Sequence, residues 1–255
     1  MASQQGDSAE GSFPERDSSR NFLNDVMGII TVINHMEKPI VFIPIKLNNQ
    51  RLPGKNIKYL GDKPLAFYQQ NELLKIKDMF KKIVVFCSDD SIKDYLLPGI
   101  EFLRRPAWLD GFEIKCNDII KEFMKENTSD WYVLDHVTAP YVKADTISDI
   151  VERVCFQKDT ASDGFDSGFA ARGIKNFLWM GNKPVNFDIQ DVPRTQDLET
   201  VFVDKCGPYV FSRDGFIKTN RRIGMNPYIK ELSFRESIDI DTPEDFEIAK
   251  RFLNE

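Results

Sequence analysis

From Pro39 onward, short apolar runs rich in β-branched and aromatic residues alternate with longer stretches of helical period. Pro39–Ile45, Ile83–Cys87 and Trp131–Leu134 are continuous apolar runs of strand length, which predicts buried, mainly parallel strands. Between the first two lies Pro64–Phe80, where Ala66, Leu73, Ile76 and Phe80 fall on one helical face, the pattern of a crossover helix. Ile114–Met124 and Asp145–Phe156 repeat it, the latter with Ile147, Ile150, Val151 and Val154 as its stripe. Strands alternating with helices in this way predict an α/β fold with a mainly parallel sheet flanked by helices.

After Phe156 the pattern changes. Short strand-like runs surround Phe169 and Leu178, and a stretch rich in Asn, Asp, Pro and Thr follows from Gly181 to Thr200. Residues 169–200 therefore read as an inserted arm. Phe177, Leu178, Trp179, Val185 and Phe187 form an apolar set there that needs a surface to cover it, either another molecule or the chain's own domain. Tyr209–Phe211 and Glu231–Asp241 restore strand character. Thr242 as N-cap, Pro243 at the first helical position and Asp245 three residues after the cap predict the start of a last helix.

Composition sharpens the domain count. A chain of 255 residues with 42% hydrophobic content can bury one large core, and a single catalytic domain over residues 36–255 is expected. Residues 1–35 read as an extension outside it: their start is acidic and Ser-rich, unlike a signal or transit peptide, and their apolar patch within Phe22–Ile33 is interrupted by Asn24 and Asp25. No run approaches the roughly 20 apolar residues of a membrane span. The net charge of −6 leaves no excess of Lys and Arg for non-specific nucleic-acid binding. Cys87, Cys116, Cys155 and Cys206 are widely spaced without a C-x-x-C pair, as expected of reduced thiols in a cytoplasmic protein.

Two segments carry candidate chemistry. The loop leaving the first strand, Ile43 to Asn56, lies at a strand's carboxyl end, where open α/β sheets bind ligands. It holds Lys46, Arg51 and Lys55, with small or polar residues at Asn48, Asn49 and Gly54 that let backbone N–H groups approach a phosphate chain. Three cations beside such a backbone suit a nucleoside triphosphate; a solvated basic loop is the alternative. The loop fits neither G-x-x-x-x-G-K-[ST] nor G-x-G-x-x-G, which disfavours P-loop ATPase and dinucleotide chemistry.

The second segment is Ser237-Ile-Asp-Ile-Asp-Thr242. Extended backbone puts Asp239 and Asp241 on one face and Ile238 and Ile240 on the other. Paired carboxylates repel unless a cation lies between them, and Mg²⁺ held by oxygen ligands and phosphates is the natural one. In the alternative reading Asp241 belongs to the following turn and Asp239 is merely solvated.

Together these segments resemble the two motifs of the CMP-sugar synthetases, the acylneuraminate and 3-deoxy-manno-octulosonate cytidylyltransferases. Leu52-Pro53-Gly54-Lys55-Asn56 matches their nucleotide signature and Ser237–Thr242 their C-terminal metal motif. The resemblance implies a Rossmann-like domain of the nucleotide-diphospho-sugar transferase type, with an inserted dimerisation arm. It implies Lys46, Lys55, Asp239 and Asp241 as catalytic residues, and Asp239 and Asp241 as Mg²⁺ ligands. Leu47, Asn48, Asn49, Arg51, Lys55, Asn56, Ser88, Asp89 and Arg105 are implied as nucleotide contacts, with Lys46 in place of the usual arginine. His136 stands where sialate synthetases have a sugar-binding glutamine, and Val142 where an arginine follows it. His136, Lys175, Arg194 and Gln196 are implied as acceptor contacts, with Arg194 meeting a carboxylate near a homodimer boundary.

The implied reaction joins CMP from CTP to a small-molecule sugar acid and releases pyrophosphate. The departures at His136 and Val142 leave open another acceptor, such as a different sugar acid or a phosphorylated or phosphonylated compound. A catalytically silent nucleotide-binding protein is the reading outside the enzyme class. A paired metal site, which a binding module does not need, weighs against it.

Overall fold

In the computed structural model, which describes residues 37–156 and 164–254, the chain begins with β1 (Ile40–Ile45) and a short hairpin of β2 (Tyr59–Leu60) and β3 (Lys63–Pro64). There follow α1 (Leu65–Lys75), β4 (Lys82–Cys87), β5 (Glu101–Arg104), α2 (Cys116–Glu126), β6 (Trp131–Leu134) and α3 (Ala144–Val151). The second half contains β7 (Ser167–Ile174), a hairpin of β8 (Trp179–Met180) and β9 (Lys183–Pro184), β10 (Val201–Ser212), α4 (Arg213–Thr219), β11 (Pro227–Glu231) and α5 (Pro243–Arg251). The extension expected over residues 1–35 lies outside the described residues.

Seven strands form one sheet in the order β11-β7-β10-β6-β1-β4-β5. β1 pairs in parallel with β4 and β6, β4 with β5, and β11 with β7; β10 runs antiparallel to both of its neighbours. The mainly parallel α/β sheet is the one the apolar runs predict. β1 shows why it is buried on both faces. Ile40 and Phe42 point toward Ile120, Phe123 and Met124 of α2, and Phe42 stacks on Phe123 with ring centroids 4.4 Å apart. Val41, Ile43 and Ile45 point the other way, toward Leu73 of α1 and Ile147, Ile150 and Val151 of α3. A strand buried on both sides needs an unbroken apolar run, and IVFIPI is one.

A third cluster positions the site. Leu52, Leu60 and Leu65 pack with Tyr141, Ile238, Ile240, Phe246 and Ala249. Burial of these side chains, each worth roughly 1.5–3 kcal/mol for Leu or Ile, clamps the loop after β1 against the segment before α5. Two motifs nearly two hundred residues apart in sequence are thereby held side by side.

Several boundaries differ from the sequence pattern. α1 stops at Lys75, and Lys77–Met79 is a 3-10 turn. The helical stripe after Lys143 divides into α3 and a π-turn over Glu152–Phe156. Residues 169–174, grouped above with the arm, belong to β7 in the central sheet, so the chain leaves that sheet only after Ile174. The strand expected over Glu231–Asp241 ends at Glu231. Beyond it the chain leaves the sheet edge for the end of β6, where the Ile240 N–H donates to the Thr138 carbonyl at 2.8 Å. Alternation persists there because Ile238 and Ile240 are buried, while among the described residues no neighbouring strand completes a ladder. Among the described residues no helix is long and apolar enough to cross a membrane.

Candidate active site

The loop after β1 turns at Gly54, whose φ of +63° lies in the left-handed region. A Cβ there would meet nothing, so glycine is favoured by backbone conformation alone. The turn feeds a 3-10 turn, Lys55–Ile57, and sends the Lys55 side chain inward. Lys55 Nζ donates to the Ile240 carbonyl and to Asp241 Oδ1, both at 2.8 Å. Arg51 approaches the same oxygen at 2.8 Å from the solvent side. Asn56 is buried, with its Nδ2 donating to the Lys46 carbonyl at 2.8 Å.

A cleft opens between this loop, the residues after β5 and the end of β6. It is lined by Lys46, Asn49, Lys55, Asn56, Arg105 and His136, with Leu109, Ile114, Ile119 and Val137 as its apolar wall. Lys46 Nζ stands 5.2 Å from the centroid of Phe112, an exposed aromatic on the same rim. Asn49 Oδ1, Asn56 Oδ1 and Arg105 Nε, all on lining residues, are buried without a hydrogen-bond partner, and so is Asp239 Oδ1 beside them. Leaving such a group unpaired costs about 1–3 kcal/mol. Three of them on one cavity wall, with the Asp239 oxygen nearby, describe a surface complementary to a polar, charged ligand.

Asp239 and Asp241 differ in environment. Asp241 is half-exposed and held by two cations. Asp239 is more enclosed: burial raises its pKa, with the Asp241 charge adding to the rise while the Thr138 hydroxyl opposes it. Cys206 contacts Asp239 from β10, in the left-handed region at φ 49°, where the β10 register shifts between Asp204 and Tyr209. Burial and the carboxylates of Asp239 and Asp204 push its thiol up to about 12. Among the described residues no three His, Cys, Asp or Glu side chains form a metal cage. A buried, partnerless carboxylate oxygen beside a second carboxylate does fit a hard cation that completes its shell with phosphate oxygens and water.

His136 lines the cleft and sets its ring edge-on to Tyr209, with centroids 6.1 Å apart. Burial lowers its pKa to about 4, with the positive charges of Arg222 and Lys55 in support and Asp241 opposing. It is therefore a neutral imidazole at pH 7, able to donate from one nitrogen and accept at the other.

The structure gathers Lys46, Asn49, Lys55, Asn56, Arg105, His136, Asp239 and Asp241, but not every residue the sequence points to. Arg51 reaches the group only through Asp241. Leu47 packs against the core, and Asn48 is exposed outside the cleft lining. Ser88 and Asp89 do not line the cleft: Ser88 donates to the Asp110 carboxylate, and Asp89 caps a 3-10 turn by accepting from Ser91 N at 2.9 Å. Asp110 also pairs with the buried Arg105 and so fixes it at the cleft wall. Lys175, Arg194 and Gln196 sit together on the arm, Lys175 donating to the Gln196 carbonyl at 2.8 Å and Arg194 pairing with Asp197 at 2.7 Å. Sequence reasoning missed Asp110, Thr138, Cys206, Tyr209 and Arg222. Thr138 was within reach, because it follows a buried strand at the ligand-binding edge of the sheet; the others meet only through pairings that no local pattern encodes.

Comparison with known proteins bears on the family and the fold. The model of a family described as cytidylyltransferase matches residues 40–255. N-acylneuraminate cytidylyltransferases of Streptococcus agalactiae serotypes III and V are 24% and 23% identical over 216 residues, which cover 82% of this chain and 52% of theirs. The chain thus spans about half the length of the curated relatives it matches. Among solved structures, CMP:2-keto-3-deoxy-manno-octonic acid synthetase complexed with CTP superposes with a TM-score of 0.59 at 14% identity, covering 85% of this chain and 98% of that one. The 4-diphosphocytidyl-2C-methyl-D-erythritol synthase of Anaerococcus prevotii gives 0.58 at 13% identity, covering 86% and 99%. These two likenesses concern the fold.

Proposed function

Because the chain belongs to the cytidylyltransferase family, whose model spans residues 40–255, we propose that it transfers CMP from CTP to a sugar acid and releases pyrophosphate. The observation that carries this reading is the convergence of both chemical motifs on one cleft, through the contact of Lys55 with Asp241 and the shared packing of Leu52 with Ile238 and Ile240. The names of the N-acylneuraminate relatives support a sugar acid as acceptor.

In this reading the acceptor hydroxyl attacks the α-phosphorus in line, forming a P–O bond as the bond to the pyrophosphate oxygen breaks. Catalysis is then positioning and charge stabilisation. Lys46 and Lys55 neutralise the triphosphate, Arg51 joins them from the rim, and Arg105 and the amides of Asn49 and Asn56 supply directional hydrogen bonds. Asp239 and Asp241 would hold Mg²⁺, which when bound offsets phosphate charge and polarises the α-phosphate. Neutral His136 donates to an acceptor hydroxyl. The exposed apolar arm makes a homodimer the proposed assembly, with Lys175, Arg194 and Gln196 near the subunit boundary.

The test is pyrophosphate release from CTP with a panel of nonulosonic, octulosonic and phosphorylated acceptors. Turnover with an acid acceptor, and little with ATP or GTP, is expected. Turnover confined to a phosphorylated or phosphonylated compound would move the chain to that acceptor class, which the buried Val142 at an arginine position also permits.

A further inference from the structure

Three arginines named from the sequence are already engaged by carboxylates: Arg51 by Asp241, Arg105 by Asp110 and Arg194 by Asp197. Arg222, which follows α4, is set differently. Its guanidinium carbon lies 4.3 Å from the centroid of Tyr209, stacked over the ring, and its Nε is buried without a partner. Phe169 stacks on Tyr209 with centroids 6.2 Å apart, and the Tyr209 hydroxyl donates to Asp204 at 2.6 Å, so the ring under Arg222 is fixed at its face and its tip. Arg222 interacts with the thiol of Cys116 and acts electrostatically on His136, and both of those residues line the cleft.

A guanidinium seated on an aromatic face, partly withdrawn from water and left with a spare N–H, is a receptor for a planar anion. Arg222 borders the cleft through Cys116 and His136, and itself lines an adjoining cavity with Ser167 and Ser212. A triphosphate has Lys46 and Lys55, which line the cleft, to neutralise it, so the anion left for Arg222 is one on the acceptor.

We infer that Arg222 binds the acidic group of the acceptor, with Tyr209 holding the guanidinium plane and His136 addressing a neighbouring hydroxyl. This rests on the transfer of CMP to a sugar acid proposed above. It assigns acid recognition to a residue that borders the cleft, whatever the arm of a second copy adds.

The experiment compares wild type, Arg222→Gln and Arg222→Lys in pyrophosphate release, using the preferred acid acceptor and its carboxamide. Melting temperature and circular dichroism establish that each variant is folded. Losing a charge-assisted pair predicts an acceptor KM raised about ten- to a hundredfold in Arg222→Gln. Arg222→Lys, which keeps the charge and loses the fork, should fall between. The KM for CTP should change by less than about threefold, and wild type and Arg222→Gln should use the carboxamide equally well. An unchanged acceptor KM in a folded variant overturns the assignment, as does an equal loss for acid and carboxamide, which would mark a structural arginine. Failure of the underlying reading shows in wild type alone, as CTP turnover without preference for any acid; the assignment then falls with it.

Discussion

Asp135 closes β6 with its main-chain N–H donating to the Phe42 carbonyl at 3.1 Å, and its carboxyl is buried with Oδ2 unpartnered. Burial raises its pKa to about 7, against the opposing effect of a bond from the His136 amide. The folded state therefore binds this proton more tightly than the unfolded chain, whose carboxyl titrates near 3.8. The associated stability is fully present below pH 4 and is lost as pH rises through 7. Asp135→Asn lacks this dependence. Relative to wild type it should gain on the order of 2 kcal/mol between pH 5 and pH 7.5, read from urea midpoints at the two values. A difference that does not move with pH would mean that Asp135 stays ionised in the fold. Asp239 is raised in the same direction, by burial and by the neighbouring Asp241 charge, and Mg²⁺ bound at the carboxylates would oppose that rise.

The helix that follows Asp241 fixes where that carboxylate sits. Thr242 Oγ1 accepts from Asp245 N at 3.2 Å, while the Asp245 carboxylate accepts from Thr242 N at 2.9 Å and Asp241 N at 3.1 Å. The capping box thus satisfies amides on both sides of the helix start, and Pro243 occupies a position that needs no N–H. Thr242→Ala should cost about 1 kcal/mol and lower the melting temperature by about 2–4 °C, measured by thermal unfolding. An unchanged melting temperature would show that burial of Phe246 and Ala249 sets this helix without its cap. The box was legible in the sequence because a cap is a local device, and so were β1, β4 and β6, whose runs are apolar on both faces. The segment before Asp241 has the pattern of a strand but is not one: its two-residue alternation comes from burial of Ile238 and Ile240, and alternation reports which face is buried, not whether a neighbouring strand pairs with it. The proposed acceptor side was the least legible, because Cys116 and His136 of the cleft and Tyr209 and Arg222 beside it come from four separate parts of the chain.

At the scale of the molecule, Trp179, Met180, Val185, Ile189 and Val192 remain exposed on the arm, although Phe177, Trp179 and Phe187 pack on one another. A face of this kind is expected to pair with a second copy. Light scattering at micromolar concentration should give twice the 29.5 kDa chain mass, and Met180→Asp with Val185→Asp should return it to one chain mass; a monomeric wild type would contradict the dimer. In the proposed reaction a lysine loop and a carboxylate pair meet at the cleft to handle a triphosphate. Pyrophosphate release from CTP with Mg²⁺ and an acid acceptor, compared among wild type, Asp239→Asn and Asp241→Asn, tests it most directly. Each substitution keeps shape and removes one ligand charge, so both variants should fold and lose at least about a hundredfold in turnover. Near-normal Mg²⁺-dependent turnover in either folded variant would contradict the account.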